Sequence, residues 1–365
     1  MHSFRIGRWH GCMETQRDTR NMKRKALMTT TALAFAGAMA AGSASAADML
    51  SVGVGGYMEQ WVGFVDRSDS ANDAVEGGID QWSDSEIFFR GKLEADNGLT
   101  FSVKVELEGN TAGDQIDESQ LTIGGSFGQI VLGTEDHPAA LMHYGNQDVG
   151  VGYCGDSGWT GVTGCSRNGE MGLGTNGWIV GGDEQKIAYY TPRISGVQFG
   201  AAYIPDHTAE DSNGTPNGNN NDGFSVAVNL KHDLGDTNVA ASAGHYQVSN
   251  DGGDDQTWTN FGLRVGFGAF GFNVAYAEHE DGDGDDMDTG DYNLTSAGAK
   301  YSDGPMAVSL THMMGEADNG EEGNVTMLSL AYTLAPGVAS KTSVIAGEQG
   351  TVDGTAFVTG IAVGF

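Results

Sequence analysis

The sequence predicts an all-β chain, a sixteen-stranded antiparallel transmembrane β-barrel. Three observations carry that prediction. Nearly every apolar segment alternates at period two. About sixteen such segments follow one another, joined by connections that alternate between short turns and longer polar stretches. The last segment, Thr355 to Phe365, has the length that crosses a bilayer as a tilted strand, roughly 9–11 residues, and it ends on an aromatic side chain. No segment after the leader has the pattern of a membrane-spanning helix. Glycine is abundant, at 58 of 365 residues, and mean hydropathy is low. A soluble all-β protein would share those averages. It has no reason to keep strict alternation through eight hairpins.

The amino-terminal stretch is read first. Residues 1–21 are basic and unpatterned, which makes Met22 the expected start. Met22-Lys23-Arg24-Lys25 is a positive n-region, Ala26 to Ala41 an alanine-rich apolar core, and Ala44-Ser45-Ala46 a small-residue cleavage site. Residues 22–46 therefore read as a secretory signal peptide, and 47–365 as the barrel. Its apolar run is too short to anchor in a membrane.

Strands are expected near 51–66, 84–96, 99–109, 116–125, 128–134, 185–191, 196–204, 223–232, 237–248, 256–268, 270–279, 292–302, 305–315, 324–334, 339–347 and 354–365. In the second, Ile87, Phe89 and Leu93 share one face and Glu86, Arg90, Lys92 and Glu94 the other. In the third, Phe101, Val103, Val105 and Leu107 alternate with Ser102, Lys104, Glu106 and Glu108. Strands eight, ten and eleven repeat this pattern with Phe224 to Leu230, Phe261 to Phe267 and Phe270 to Tyr276. Short links such as Asn97-Gly98, Asp303-Gly304 and Pro336-Gly337 carry turn residues. Longer links at 67–83, 205–222, 249–255 and 280–291 are rich in Asp, Asn and Gly. On the last strand Phe357, Ile361, Val363 and Phe365 lie on one face, with Thr359 interrupting.

Without residues 1–46 the chain holds 11 basic and 47 acidic residues, a formal charge of 11 − 47 = −36. Nucleic acid is excluded as a partner at that charge. Cations are implied, either mobile or held by carboxylates. Cys154 and Cys165 remain after the leader, close together in a glycine-rich stretch of an exported chain, and a disulfide between them is expected. Two unpaired thiols are the alternative. Asp281, Asp283, Asp285 and Asp288 alternate with Gly282 and Gly284 as calcium loops do. The EF-hand template fails, having no flanking helices and no Glu at its twelfth position. That external loop is either a solvated acidic stretch or a site for calcium or another divalent cation, bridging lipopolysaccharide phosphates or ordering the loop. No other cofactor is expected.

The longest connection, about 134–185, separates strands five and six. Phe127 to Gly133 resembles the fifth strand of the general porins of Gram-negative bacteria, of an alphaproteobacterial kind. Lys186-Ile187-Ala188-Tyr189-Tyr190-Thr191-Pro192, followed by Gly196-Val197-Gln198-Phe199-Gly200-Ala201-Ala202-Tyr203, resembles the strand-turn-strand that follows the constriction loop of that family. With the leader and the Phe365 terminus, the resemblance covers the whole chain after the leader. It implies an outer-membrane homotrimer exported by its signal peptide. It also implies a 134–185 loop folded into the barrel, and a channel passing small solutes and ions, not an enzyme. A carboxy-terminal strand of this kind implies a signal for the barrel-assembly machinery, carried by Phe357, Ile361, Val363 and Phe365.

In that family a basic cluster on the wall faces acidic residues on the inward loop. Alternation puts Arg90, Lys92 and Lys104 in the lumen, where polar residues are expected because the channel is wet. The loop offers Glu135, Asp136, Asp148, Asp156, Glu170, Asp183 and Glu184, with Asp148 and Asp156 preferred as mid-loop residues. The charge balance predicts cation preference. A substrate-specific channel, the alternative, would show an aromatic track or a dense basic ladder in the lumen. Asp136-His137 and Thr311-His312 are the pairs a barrel enzyme could use, but no nucleophile motif accompanies them.

Overall fold

The computed structural model describes residues 51–67, 78–110, 115–151, 175, 182, 184–206, 222–249, 255–280, 291–318, 320, 322–349 and 352–365. The leader, Cys154, Cys165, Asp156, Glu170, Asp183 and the Asp281–Asp288 stretch lie outside these residues. Among the described residues sixteen strands close into one antiparallel barrel. Each pairs with its sequence neighbours, and the last pairs back onto the first. They are β1 Ser51–Arg67, β2 Gly78–Glu94, β3 Thr100–Glu108, β4 Ile116–Gly125, β5 Gly128–Gly133, β6 Lys186–Tyr190, β7 Val197–Ile204 and β8 Gly223–Leu234. β9 Thr237–Val248, β10 Gln256–Phe267, β11 Phe270–Glu280, β12 Tyr292–Asp303, β13 Met306–Ala317, β14 Glu322–Ala335, β15 Val338–Gln349 and β16 Val352–Gly364 complete the wall. One helical turn, α1 (Pro138–Leu141), follows β5.

Closure is what makes the fold viable in hydrocarbon, because no strand edge is left with unpaired backbone groups. At the seam Tyr57 to Arg67 pair with Gly364 to Gly354. The Phe365 N–H donates to the Gly56 carbonyl (3.0 Å), and the Gly56 N–H donates to that of Phe365 (3.1 Å). Residues 51–56 of β1 pair with β2, so β1 carries two overlapping partners. Tight turns bring one rim together. Gly268 and Gly304 adopt φ of +56° and +55°, a region that costs glycine nothing. β2 begins six residues earlier than its apolar pattern suggests, at Gly78. Its first turns are polar on both faces, and β1 draws them into the sheet through pairs such as Trp61 with Trp82.

The outer face is apolar around the circumference, with Phe64, Phe89, Phe199, Phe261, Phe272, Leu310 and Leu328 all projecting outward. Phe357, Ile361, Val363 and Phe365 share that face, Phe365 being 70% exposed. The inner face departs from expectation. In the half of the barrel away from the tight turns, inward positions of β9 to β16 are apolar and packed rather than wet. Tyr246, Trp258, Leu294, Met313, Val325, Met327 and Ile345 are completely buried in one cluster. Val151 and Ala139 of the β5–β6 connection belong to the same cluster. The connection lies against this wall, so the wall behaves as a protein core and takes core residues.

Candidate functional site

The connection after β5 runs inward and crosses the lumen along the inner wall. His137 opens α1 from an extended conformation (φ −77°, ψ 159°), with Pro138 in the first turn where its missing N–H costs nothing. His137 is fully buried, its ring stacked on Tyr246 at 4.1 Å and its Nδ1 3.2 Å from Ser225 Oγ. The chain then meets a row of inward-facing polar side chains, strand by strand. Ser225 on β8 accepts from the Ala139 N–H (3.0 Å), and Asn229 donates to the Met142 carbonyl (3.2 Å). Ser242 on β9 accepts from the Tyr144 N–H (2.8 Å). Arg264 on β10 donates to the carbonyls of Gly145 and Asn146, both at 2.8 Å. Asn273 on β11 donates to Asn146 Oδ1 (2.8 Å). Ser309 on β13 accepts from Val149 N–H (3.0 Å), and Ser343 on β15 from Val151 N–H (3.1 Å). Wall glycines let the loop in: a Cβ on Gly244 would lie 2.8 Å from Ala139 Cα, and one on Gly262 would strike the Tyr144 carbonyl.

Asp148 is bound into this row. Ser309 and Ser329 donate to its Oδ2 at 2.8 and 2.9 Å, and the Gly150 N–H donates to its Oδ1 at 2.8 Å. The structure therefore corrects the preferred role of Asp148. Its carboxylate fastens the loop to β13 and β14 and does not face the bases of β2 and β3. Sequence reasoning missed the anchors themselves. Their signal was present: Ser or Asn at inward positions of successive strands, at Asn229, Ser242, Asn273, Ser309, Ser329 and Ser343.

On the other side a cluster of ion pairs stands around Lys104. Its Nζ pairs with Glu106 (3.1 Å) and with Glu118, both from the wall, and with Glu135 (3.2 Å) at the start of the connection. Arg90 stands opposite Lys104 in the register and pairs with Glu106 at 3.7 Å. Lys92, one inward position further along β2, is exposed. Around Lys104 the wall bases thus meet mainly wall acids, and among the described loop acids Glu135 joins them. Glu106 and Glu118 are wall acids at inward positions of β3 and β4, where strand alternation could have found them. Glu184 is paired with Lys186 at 3.7 Å, and Lys186 also donates to the carbonyls of Glu135 and Gly182. Asp136 lines a cavity of about 420 Å³ together with Glu135, Tyr144, Tyr190, Arg193 and Lys231.

His143, mid-loop, is held by Thr175 Oγ1 at 2.9 Å from Nε2. Burial, and then the positive charge of Arg264, push its pKa down to about 4, so it is neutral at neutral pH. Tyr246, Trp258 and Tyr292, on the inner face of β9, β10 and β12, are buried. His312 lies on the outward face of β13, bonded to Thr326 at 2.8 Å. No helix among the described residues is long and apolar enough to cross a membrane.

A sequence model of the Gram-negative porin family matches residues 29–349. A search of curated protein sequences gives no match. Among solved structures the anion-selective porin of Comamonas acidovorans superposes with a TM-score of 0.61 at 17% identity, covering 87% of this chain and 100% of that one. The trimer form of OmpT from Vibrio cholerae gives 0.59 at 15% identity, with 87% and 100% covered. The outer membrane channel DcaP of Acinetobacter baumannii gives 0.60 at 9% identity, with 87% and 97% covered. At such identities the likeness is one of fold.

Proposed function

The chain belongs to the Gram-negative porin family, and on that premise we propose that it is a general diffusion porin, a water-filled channel for small hydrophilic solutes and ions. The family and the closed barrel make it an outer-membrane channel rather than an enzyme. One observation carries the finer reading. The loop lies along the β8–β15 wall, and a cluster of ion pairs around Lys104 gathers on β2 to β4 and the start of the connection. The conduit runs between them, past Arg90, Lys104, Glu106, Glu118 and Glu135. Three carboxylates around one ammonium, in a chain of strong negative charge, support cation preference. A homotrimer, as in the trimer form of OmpT, and export by the 22–46 leader complete the proposal.

Single-channel recording in planar bilayers tests it. Steps closing in threes support the trimer, and no conductance at all rejects the channel. Reversal potentials across a salt gradient test selectivity, an anion preference being the result against it. The second reading, a substrate-specific channel, is favoured by the mixed-charge cavity beside Asp136 and Arg193. Solute flux that saturates would support it, and flux linear in concentration would not.

A further inference from the structure

Most inward-facing charges are sorted along the barrel axis, Lys186 at the long-loop end of β6 and Glu59 beside Lys341 being exceptions. Close to the tight-turn rim stands a ring of bases. Lys231, Arg264 and Lys300 each sit three residues before the end of β8, β10 and β12, and Lys341 sits three residues after the start of β15. Lys92 occupies the matching height on β2, two residues before its end. Alternation puts Lys92 and Lys300 on the inner face, and contacts place the other three there. Lys231 and Arg264 flank the Tyr144 ring, each at 5.6 Å, and Lys341 reaches Glu59 at 3.0 Å. Further toward the opposite rim the wall turns acidic. On β2 the order from that rim is Asp84, Glu86, then Arg90 and Lys92, with Glu94 at the strand's last position. On β3 Glu106 and Glu108 lie beyond Lys104. Tyr57 donates to Glu86 (2.7 Å) and to Asp84 (3.2 Å), which fixes both carboxylates on the inner face. Acids at the tight-turn rim, such as Asp233 and Asp303, sit at the strand ends and outside the ring.

From Glu86 to Lys92 is about 20 Å along the strand at roughly 3.3 Å per residue. With a tilt of about 40° that is about 15 Å along the axis. The Debye length at 0.1 M salt is about 10 Å, so each half imposes its own sign on the mobile ions.

We propose that this axial sorting of wall charge makes the channel rectify ionic current. The inference rests on the channel reading above. The acidic half is enriched in cations and the basic half in anions. When the long-loop side is positive, cations enter through the acidic half and anions through the basic half. Both accumulate where the halves meet, and conductance rises. With the opposite polarity both are withdrawn from the junction, and conductance falls.

The test is current at equal and opposite voltages in planar bilayers, at 0.1 M and 1 M potassium chloride. A histidine tag inserted at the Asp303-Gly304 turn, blocked by nickel from one chamber, reports the orientation of each channel. At 0.1 M the current is expected to be about twofold larger or more with the long-loop side positive, since wall potentials reach several kT. At 1 M, where the Debye length is about 3 Å, the ratio should approach one. The combined variant Lys92→Gln, Lys231→Gln, Lys300→Gln should lose the asymmetry at 0.1 M. Glu86→Gln with Glu108→Gln should weaken it from the other end. Parental conductance at 1 M shows that each variant has folded. Symmetric current at 0.1 M, the opposite polarity, or an unchanged ratio in both variants overturns the inference and leaves the channel standing. No conductance removes the channel and the inference together.

Discussion

Asp148→Ala should free the far end of the inward loop while leaving the barrel intact. The side chain accepts three hydrogen bonds, from Ser309 and Ser329 and from the Gly150 N–H, at 2.8, 2.9 and 2.8 Å. A hydrogen bond to a charged group contributes a net of about 1.5–3 kcal/mol. Asp148 is half-buried, and water can replace part of what is lost, so about 3 kcal/mol is a fair total. At 1.4 kcal/mol per tenfold, detachment of residues 147–151 becomes more frequent by about two orders of magnitude. The earlier stretch stays in place through Tyr144, Gly145 and Asn146, bonded to Ser242, Arg264 and Asn273. The assay is open-channel noise and the rate of brief closures in single-channel records, with heat-modifiable gel mobility as the check on the barrel. A cycle with Ser309→Ala should be non-additive, because the two side chains share a bond. Records of Asp148→Ala indistinguishable from the parent, or strictly additive single changes, would refute the anchoring role.

Three further expectations use the same measurements. His143 has a pKa of about 4 in the folded chain against 6.5 for an ordinary histidine. Neutral His143 therefore stabilises the loop fully above pH 6.5, and that contribution, about 3 kcal/mol, is lost as pH falls from 6.5 to 4. Channel noise should rise across that window and stay flat in His143→Gln. Gly150→Ala would press a methyl into Ser329 and Ser343, so it should raise loop noise without preventing barrel formation. Lys104→Gln leaves Glu106, Glu118 and Glu135 without their shared cation. Reversal potentials should move toward stronger cation preference, and an unchanged value would place the conduit elsewhere.

Sixteen strands and their faces were legible in the sequence because alternation at period two records which side of a wall meets lipid, whereas the inward loop was implied only by the family resemblance. Bounds failed where that record is weak. The first residues of β2, Gly78 to Ser83, have no apolar stripe, and only the length of β1 extends them into the sheet. The charged cluster was legible in part. Arg90 and Lys104 are inward by parity, but parity does not say that Glu118, across a register shift between Val105 and Leu107, comes to Lys104. Asp148 was noticed as a mid-loop acid, yet its partners are 161 and 181 residues away in sequence.

By itself, then, the sequence determined the fold, since a lipid-facing stripe and short turns are local properties written into consecutive residues. It also determined the excess of negative charge. The tertiary structure decided where the conduit lies. Hairpin register sets the serines of β13, β14 and β15 side by side, and the loop crossing the lumen reaches them and turns half the lumen into a packed core. Only closure stacks Lys92, Lys231, Arg264, Lys300 and Lys341 into a ring. Fields and hydrogen bonds act through space, and the distances that matter here join residues far apart along the chain.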